Sequence, residues 1–99
     1  MSRDPKILND VKETLALLAQ RYPGKAIEVR IPPYAAVQCG EGPKHTRGTP
    51  PNVIEMDADT WLQLVEGVRT WSDAYNDGLI TASGVRADLS HLLPLRSKP

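Results

Sequence analysis

The second half of the chain, residues 52–95, reads NVIEMDADTWLQLVEGVRTWSDAYNDGLITASGVRADLSHLLPL. It starts with a short apolar run at residues 52–56, a pattern typical of a strand. Asp57 follows at the position expected of a helix N-cap, and Gly67 stands where that helix would end. This part of the sequence therefore predicts a strand that leads directly into a helix.

A second helix and a second strand are predicted immediately afterwards. Thr70 is a suitable N-cap for a short helix, and Gly78 is a suitable end for it. The run LITAS at residues 79–83 predicts a strand, which Gly84 interrupts. Residues 85–93, VRADLSHLL, have the apolar spacing of a final helix. The predicted order is thus strand, helix, helix, strand, helix.

The first half of the chain predicts one helix and a hairpin. Asp4 and Pro5 form a favourable helix start, and the helix is expected to end at Tyr22, before Pro23-Gly24. The apolar stripe of this helix consists of Ile7, Val11, Leu15 and Leu18. Residues 26–31 alternate between apolar and charged, and residues 34–39 predict a second strand. The two strands are expected to pair across the intervening prolines.

Residues 40–52, GEGPKHTRGTPPN, predict a long loop with three glycines and three prolines. Lys44, His45 and Arg47 add cationic character to it. Loops of this length are often functional, and freed backbone amides with basic side chains can hold a phosphate or a carboxylate. Three interpretations stay open: a solvated connector, an anion-binding site and a contact between subunits.

Composition limits the classes of function. The 99 residues suggest a single domain, 1–99, and the 12 basic and 12 acidic side chains give no basic surface for nucleic acid. The lone Cys39 suits a reducing compartment. No run approaches the roughly 20 apolar residues of a membrane span, and the first ten residues lack a signal-peptide core. A cytoplasmic protein without stable membrane insertion is expected.

The sequence contains no convincing catalytic or metal-binding motif. Gly40 and Gly42 precede Lys44, but the lysine-threonine ending of a phosphate-binding loop is missing. Cys39 has no second cysteine, and His45 and His91 are too far apart in sequence for a zinc pattern. We therefore expect no catalytic residues, no metal and no cofactor, and we do not expect an enzyme.

Two tryptophans are candidates for either core packing or a ligand pocket. Trp61 shares a helix face with Leu64 and Val65, whereas Trp71 lies in the first turn of the next helix. A pocket lined mainly by aliphatic side chains would suit an acyl chain or a sterol, and the same residues would suit an ordinary core. The candidate pocket residues are Trp61, Leu64, Val65, Trp71 and Leu92.

The segments TWLQLVEG, TWSDAYNDGLITASG and VRADLSHLLPL at residues 60–95 resemble the C-terminal half of the sterol carrier protein family. The segment VQCGEGPKHTRGTPPNVIEMDADTW at residues 37–61 is similar to small actinobacterial members of that family. The resemblance implies an α/β (α+β) fold, with a twisted, mostly antiparallel sheet of four to five strands and helices packed on one face. It also implies an apolar pocket between sheet and helices for sterols, fatty acids or acyl-coenzyme A.

Three functions are compatible with this resemblance. The first is a small intracellular lipid-binding module in which Lys44, His45 and Arg47 hold a polar head group. The second is a non-catalytic interaction domain with a filled core that forms a homodimer. The third is an accessory domain related to those of thiol-dependent maleylpyruvate isomerases.

Overall fold

The computed structural model describes residues 4–42 and 52–96. Their elements, in chain order, are α1 (Pro5–Arg21), β1 (Ile27–Ile31), β2 (Ala35–Cys39), β3 (Asn52–Met56), α2 (Ala58–Glu66), α3 (Trp71–Asn76) and β4 (Ile80–Ser83). The predicted α+β class is confirmed, and so is the order strand, helix, helix, strand from β3 to β4.

Side-chain caps set the starts of the three helices, as the sequence predicts. Asp4 accepts hydrogen bonds from the amides of the first turn of α1. Asp57 accepts a hydrogen bond from the Thr60 amide at 2.8 Å, and Thr70 Oγ1 accepts one from the Asp73 amide at 3.1 Å. Gly67 ends α2 in the left-handed conformation, with φ of 76°. Local chemistry thus determines where these helices begin and where α2 ends.

The four strands form one sheet in the order β2-β1-β3-β4. β1 pairs with β2 and β3 pairs with β4 in antiparallel fashion, so the predicted β1–β2 hairpin is confirmed. The central β1–β3 pair is parallel. Two of the three pairings are therefore antiparallel, in line with the expected mostly antiparallel sheet.

One face of the sheet packs against the helices. Ile27, Val29 and Ile31 of β1 are buried and alternate with the partly exposed Glu28 and Arg30. The same core contains three residues of the α1 stripe and three residues of α2: Val11, Leu15, Leu18, Trp61, Leu64 and Val65. Removal of this apolar surface from water is the main stabilising contribution of the two helices.

The prediction of a helix at residues 85–93 is wrong. The segment forms turns, with Ala87 N–H bonded to Gly84 O at 3.3 Å and Leu92 N–H bonded to Leu89 O at 2.9 Å. Ala87 and Leu89 are both buried although they are two residues apart, a spacing that one helix face does not provide. We call residues 84–95 the C-terminal turns.

The end of the C-terminal turns is attached to α2. The Leu95 amide donates to Val65 O at 3.0 Å, and the Leu95 side chain is buried. A regular helix could not bury Ala87, Leu89 and Leu95 on the same side. The segment therefore forms turns, which allow all three side chains to be buried.

Among the described residues, none of the helices has both the length and the apolar character needed to cross a membrane.

A buried hydrogen bond joins α1 to α2, and its loss should be measurable. Trp61 Nε1 donates to Thr14 Oγ1 at 2.8 Å, and Thr14 itself donates to Asp10 O at 2.7 Å. The Thr14→Val variant keeps the shape but leaves the indole N–H without an acceptor. We expect a loss of about 1–3 kcal/mol in the free energy of unfolding, measured in urea.

The exposed Thr81 provides the matched control, because Thr81→Val changes the same group at the surface. Equal stability of the two variants would show that the Trp61–Thr14 bond contributes nothing.

Candidate functional site

A cavity of about 480 Å³ lies where the end of α1, the start of β1, the end of β2 and the C-terminal turns meet. We call it the Arg21–Arg86 cavity. Its lining residues are Arg21, Tyr22, Pro23, Ala26, Ile27, Gly40, Glu41, Val85, Arg86, Asp88, His91 and Leu92.

Tyr22, Ala26 and Gly40 line one side of this cavity, which we call its floor, and hydrogen bonds connect them. Gly40 N–H donates to Tyr22 O at 2.7 Å, and Ala26 N–H donates to Gly40 O at 3.1 Å. Gly24 has φ of 143°, and a Cβ there would lie 1.8 Å from Gly40 O. Only a residue without a side chain allows the α1–β1 connection to pass so close to the end of β2.

Asn52 connects the floor of the cavity, at Ala26, to Arg86 in the C-terminal turns. This residue is 2% exposed, and its Nδ2 donates to Ala26 O at 2.8 Å. Its Oδ1 accepts from the Arg86 amide, also at 2.8 Å. Both partners line the cavity. Sequence reasoning treated Asn52 only as the first residue of a strand, although a polar residue at an inward position of β3 was a usable signal.

The two arginines of the cavity are anchored to backbone carbonyls. Arg21 Nη1 donates to Leu95 O, and Arg86 Nη1 donates to Glu41 O at 3.3 Å. In residues 4–42 and 52–96, neither arginine forms an ion pair. Each guanidinium has five N–H donors, so donors remain for a ligand.

Asp88 supplies a carboxylate that stays ionised at neutral pH. Its Oδ1 accepts from the Ser90 amide at 2.8 Å. This hydrogen bond, then that of the Ser90 side chain and the nearby His91, hold the pKa of Asp88 below its usual 3.8. The stabilisation is present above that usual value and is lost as the pH falls through the lowered pKa.

The structure divides the predicted pocket residues among three places. Leu92 lines the Arg21–Arg86 cavity. Trp61 and Val65 are fully buried in the core, and Leu64 is 1% exposed. Leu64 and Trp71 border a second cavity of about 350 Å³, between the end of α2 and the C-terminal turns. The five residues therefore do not line one common pocket.

The predicted head-group residues Lys44, His45 and Arg47 lie outside the described residues. Gly40 and Glu41, which precede them in the sequence, line the Arg21–Arg86 cavity.

Arg21, Arg86, Asp88 and His91 were missed as site residues. His91 was considered as half of a histidine pair for zinc, and it lies in the segment where the predicted helix does not form. Arg21 and Arg86 are distant in sequence, so no local pattern connects them. Among the described residues, no three or more His, Cys, Asp or Glu side chains are grouped as they would be around a metal ion.

Cys39 is buried at the end of β2, next to the cavity residue Gly40. Burial raises the pKa of its thiol from 9.0 to about 11. At pH 8 only about one thiol in a thousand is then ionised, and the thiolate is the reactive form. We expect alkylation by iodoacetamide at pH 8 to be at least about a hundredfold slower in the folded protein than in urea.

The same shift gives a pH dependence of stability. Between pH 9 and about 11 the unfolded chain releases a proton that folded Cys39 retains, so stability falls as the pH rises through this range. Equal alkylation rates in the folded and unfolded states would contradict the burial of Cys39.

Comparison with models of protein families identifies the family of this chain. No curated protein matches the chain significantly. The model of a family described as "Bacterial SCP ortholog", where SCP stands for sterol carrier protein, matches residues 3–95. The match includes all the helices and strands described above and both cavities. The chain therefore belongs to this family of bacterial sterol-carrier-protein-like proteins.

Proposed function

We propose that this protein is a lipid-binding module and that the Arg21–Arg86 cavity receives the lipid. The ligand class is a sterol, a fatty acid or an acyl thioester. The observation that carries the proposal is the cavity of about 480 Å³, which is lined by apolar side chains and by exposed charged ones. Small-molecule sites in proteins have volumes of about 300–1,000 Å³.

The apolar lining residues provide a surface for an acyl chain. They are Tyr22, Ala26, Ile27 and Leu92, together with Val85, which is 100% exposed. Each methylene group removed from water contributes about 0.8 kcal/mol, so micromolar binding, at about −8.2 kcal/mol, needs about ten buried methylenes even before ordering costs. Of the five pocket residues predicted from the sequence, Leu92 is the one that lines this cavity.

Basic side chains at the rim would hold the polar end of the lipid. Arg21 and Arg86 line the cavity, and each has N–H donors beyond the one that its backbone carbonyl partner accepts. We include Lys44, His45 and Arg47 in the proposal, since they follow the cavity residues Gly40 and Glu41 in the sequence. Trp61, Leu64 and Val65 support the site as packed core, and Trp71 belongs to the neighbouring cavity.

Native mass spectrometry of the freshly purified protein, followed by organic extraction, tests this proposal. A co-purifying fatty acid, sterol or acyl thioester is expected. Binding of a fluorescent fatty acid is then compared in two variants, Val85→Trp and Val68→Trp. Val85 is 100% exposed at the cavity, whereas Val68 is 61% exposed and borders neither the Arg21–Arg86 cavity nor the second cavity.

Because both variants add the same side chain to a surface valine, they should cost similar stability. We expect Val85→Trp to weaken fatty-acid binding at least about tenfold, by about 1.4 kcal/mol, while Val68→Trp leaves it unchanged. A protein without bound lipid that also fails to bind the fluorescent fatty acid would refute the proposed function.

The close packing of Trp61, Leu64 and Val65 favours a second candidate, an interaction domain with a filled core that forms a homodimer. Light scattering tests it. A dimer at micromolar concentration together with absent lipid binding would support this second candidate, and a monomer would refute it.

A further inference from the structure

The charged side chains around the Arg21–Arg86 cavity are balanced in sign. Arg21 and Arg86 are cationic, Glu41 and Asp88 are anionic, and His91 lies beside Asp88. In the part of the chain that the structure describes, no ion pair involves Arg21, Arg86, Glu41 or Asp88. Charges of both signs are therefore available to a ligand.

This arrangement is a poor match for a ligand that carries only negative charge. A carboxylate placed at the arginines would gain their hydrogen bonds, but it would also face the repulsion of Glu41 and Asp88. A ligand with a positive group as well as a negative one avoids this repulsion and satisfies both pairs of side chains.

The hydrogen bonds at the rim leave capacity for such a ligand. Arg86 uses one N–H for Glu41 O, and Arg21 uses one for Leu95 O. Asp88 accepts from the Ser90 amide at one oxygen, and a carboxylate has about four lone-pair sites.

Building on the proposed function, we propose that the Arg21–Arg86 cavity selects lipids with a zwitterionic head group. The phosphate binds Arg21 and Arg86, and the ammonium group binds Asp88 and Glu41. Binding then places an opposite charge beside the arginines and another beside the carboxylates, which neither a fatty acid nor a sterol can do.

Competition against the fluorescent fatty acid tests this selectivity. The two probes are lauroyl lysophosphatidylethanolamine and lauroyl lysophosphatidylglycerol, which share the acyl chain and the phosphodiester but differ in that only the first has an ammonium group. Both are used below their critical micelle concentrations at pH 7. We expect the zwitterionic lipid to bind at least about tenfold more tightly, a difference of about 1.4 kcal/mol.

Variants of the carboxylates identify the groups that hold the ammonium. Asp88→Asn keeps an oxygen that accepts from the Ser90 amide, and Glu41→Gln keeps the length of the side chain. Each should reduce the preference to less than about threefold, mainly by weakening the zwitterionic lipid. Asp59→Asn is the matched control, because Asp59 is exposed on α2 and borders neither the Arg21–Arg86 cavity nor the second cavity. It should retain the full preference.

The outcomes separate this inference from the proposed function. Equal affinity for the two lysolipids, or a preference that survives both carboxylate variants, overturns the selectivity while lipid binding stands. Failure to bind any lipid overturns the proposed function and the inference with it. Binding of free phosphoethanolamine as tightly as the lysolipid would keep the zwitterion chemistry but overturn a lipid as its source.

Discussion

The Gly24→Ala variant is expected to lose roughly 3–5 kcal/mol of its free energy of unfolding, a large effect for the addition of a single methyl group. The added Cβ would lie 1.8 Å from Gly40 O and 2.4 Å from Gly40 C. Backbone atoms cannot rotate away as a side chain can, so the α1–β1 connection must separate from β2. The hydrogen bonds of Gly40 to Tyr22 and Ala26 would be lost with this separation.

Urea denaturation of Gly24→Ala and Gly78→Ala distinguishes the clash from backbone strain. Gly78 also has a positive φ, of 75°, but a Cβ there meets no atom within 4 Å. Its substitution should cost only the conformational strain, about 1–2 kcal/mol. Similar losses in both variants would show that the contact between Gly24 and Gly40 is not the cause.

The Asn52→Ala variant is expected to be destabilised by roughly 2–4 kcal/mol, because one buried and one partly buried hydrogen bond to the backbone are lost at once. Ala26 O loses its donor and the Arg86 amide loses its acceptor. Since both residues line the Arg21–Arg86 cavity, we also expect weaker binding of the fluorescent fatty acid. The measurements are urea denaturation and a binding titration at a temperature where the variant is folded.

Asn9→Ala is the control for this substitution. Asn9 is exposed on α1 and donates only to the side chain of Glu13, at 3.1 Å. Its loss should change stability by no more than about 0.5 kcal/mol. If Asn52→Ala lowered the free energy of unfolding by as little, the hydrogen bonds from Asn52 to Ala26 and Arg86 could not be what holds these two parts of the cavity together.

The elements that local chemistry defines could be predicted from the sequence. Asp4, Asp57 and Thr70 cap their helices in the structure as the sequence suggests, because an N-cap needs only its own next three residues. The strand β1 was recognisable for a similar reason, since apolar and charged residues alternate along it. The parallel pairing of β1 with β3 was not predicted, because the two strands are not consecutive in the sequence and no local pattern connects them.

The C-terminal turns were predicted wrongly because their apolar residues satisfy two spacings. Val85, Leu89 and Leu92 fit one face of a helix, but Val85 is 100% exposed and Leu89 is fully buried. The buried set also includes Ala87, and Asp88 competes for the local backbone by accepting from the Ser90 amide. A helical period in a short segment does not reveal which residues the rest of the fold will bury.

The candidate site was only partly accessible from sequence for a related reason. Aliphatic side chains that fill a core and those that line a pocket look alike, and of the five candidates only Leu92 lines the Arg21–Arg86 cavity. The charged residues of that cavity come from α1, the end of β2 and the C-terminal turns. Tertiary structure alone brings Arg21 and Arg86 to one place.

The reaction rate of the buried Cys39 thiol can be used to measure local opening of the fold. The thiol must become exposed before a reagent can reach it, so its labelling kinetics measure how often the end of β2 separates from the floor of the cavity. A ligand that binds only the closed form lowers this opening population by the factor 1 + [L]/Kd. The affinity of an unlabelled, colourless ligand can thus be read from the rate at which a single sulfur atom reacts.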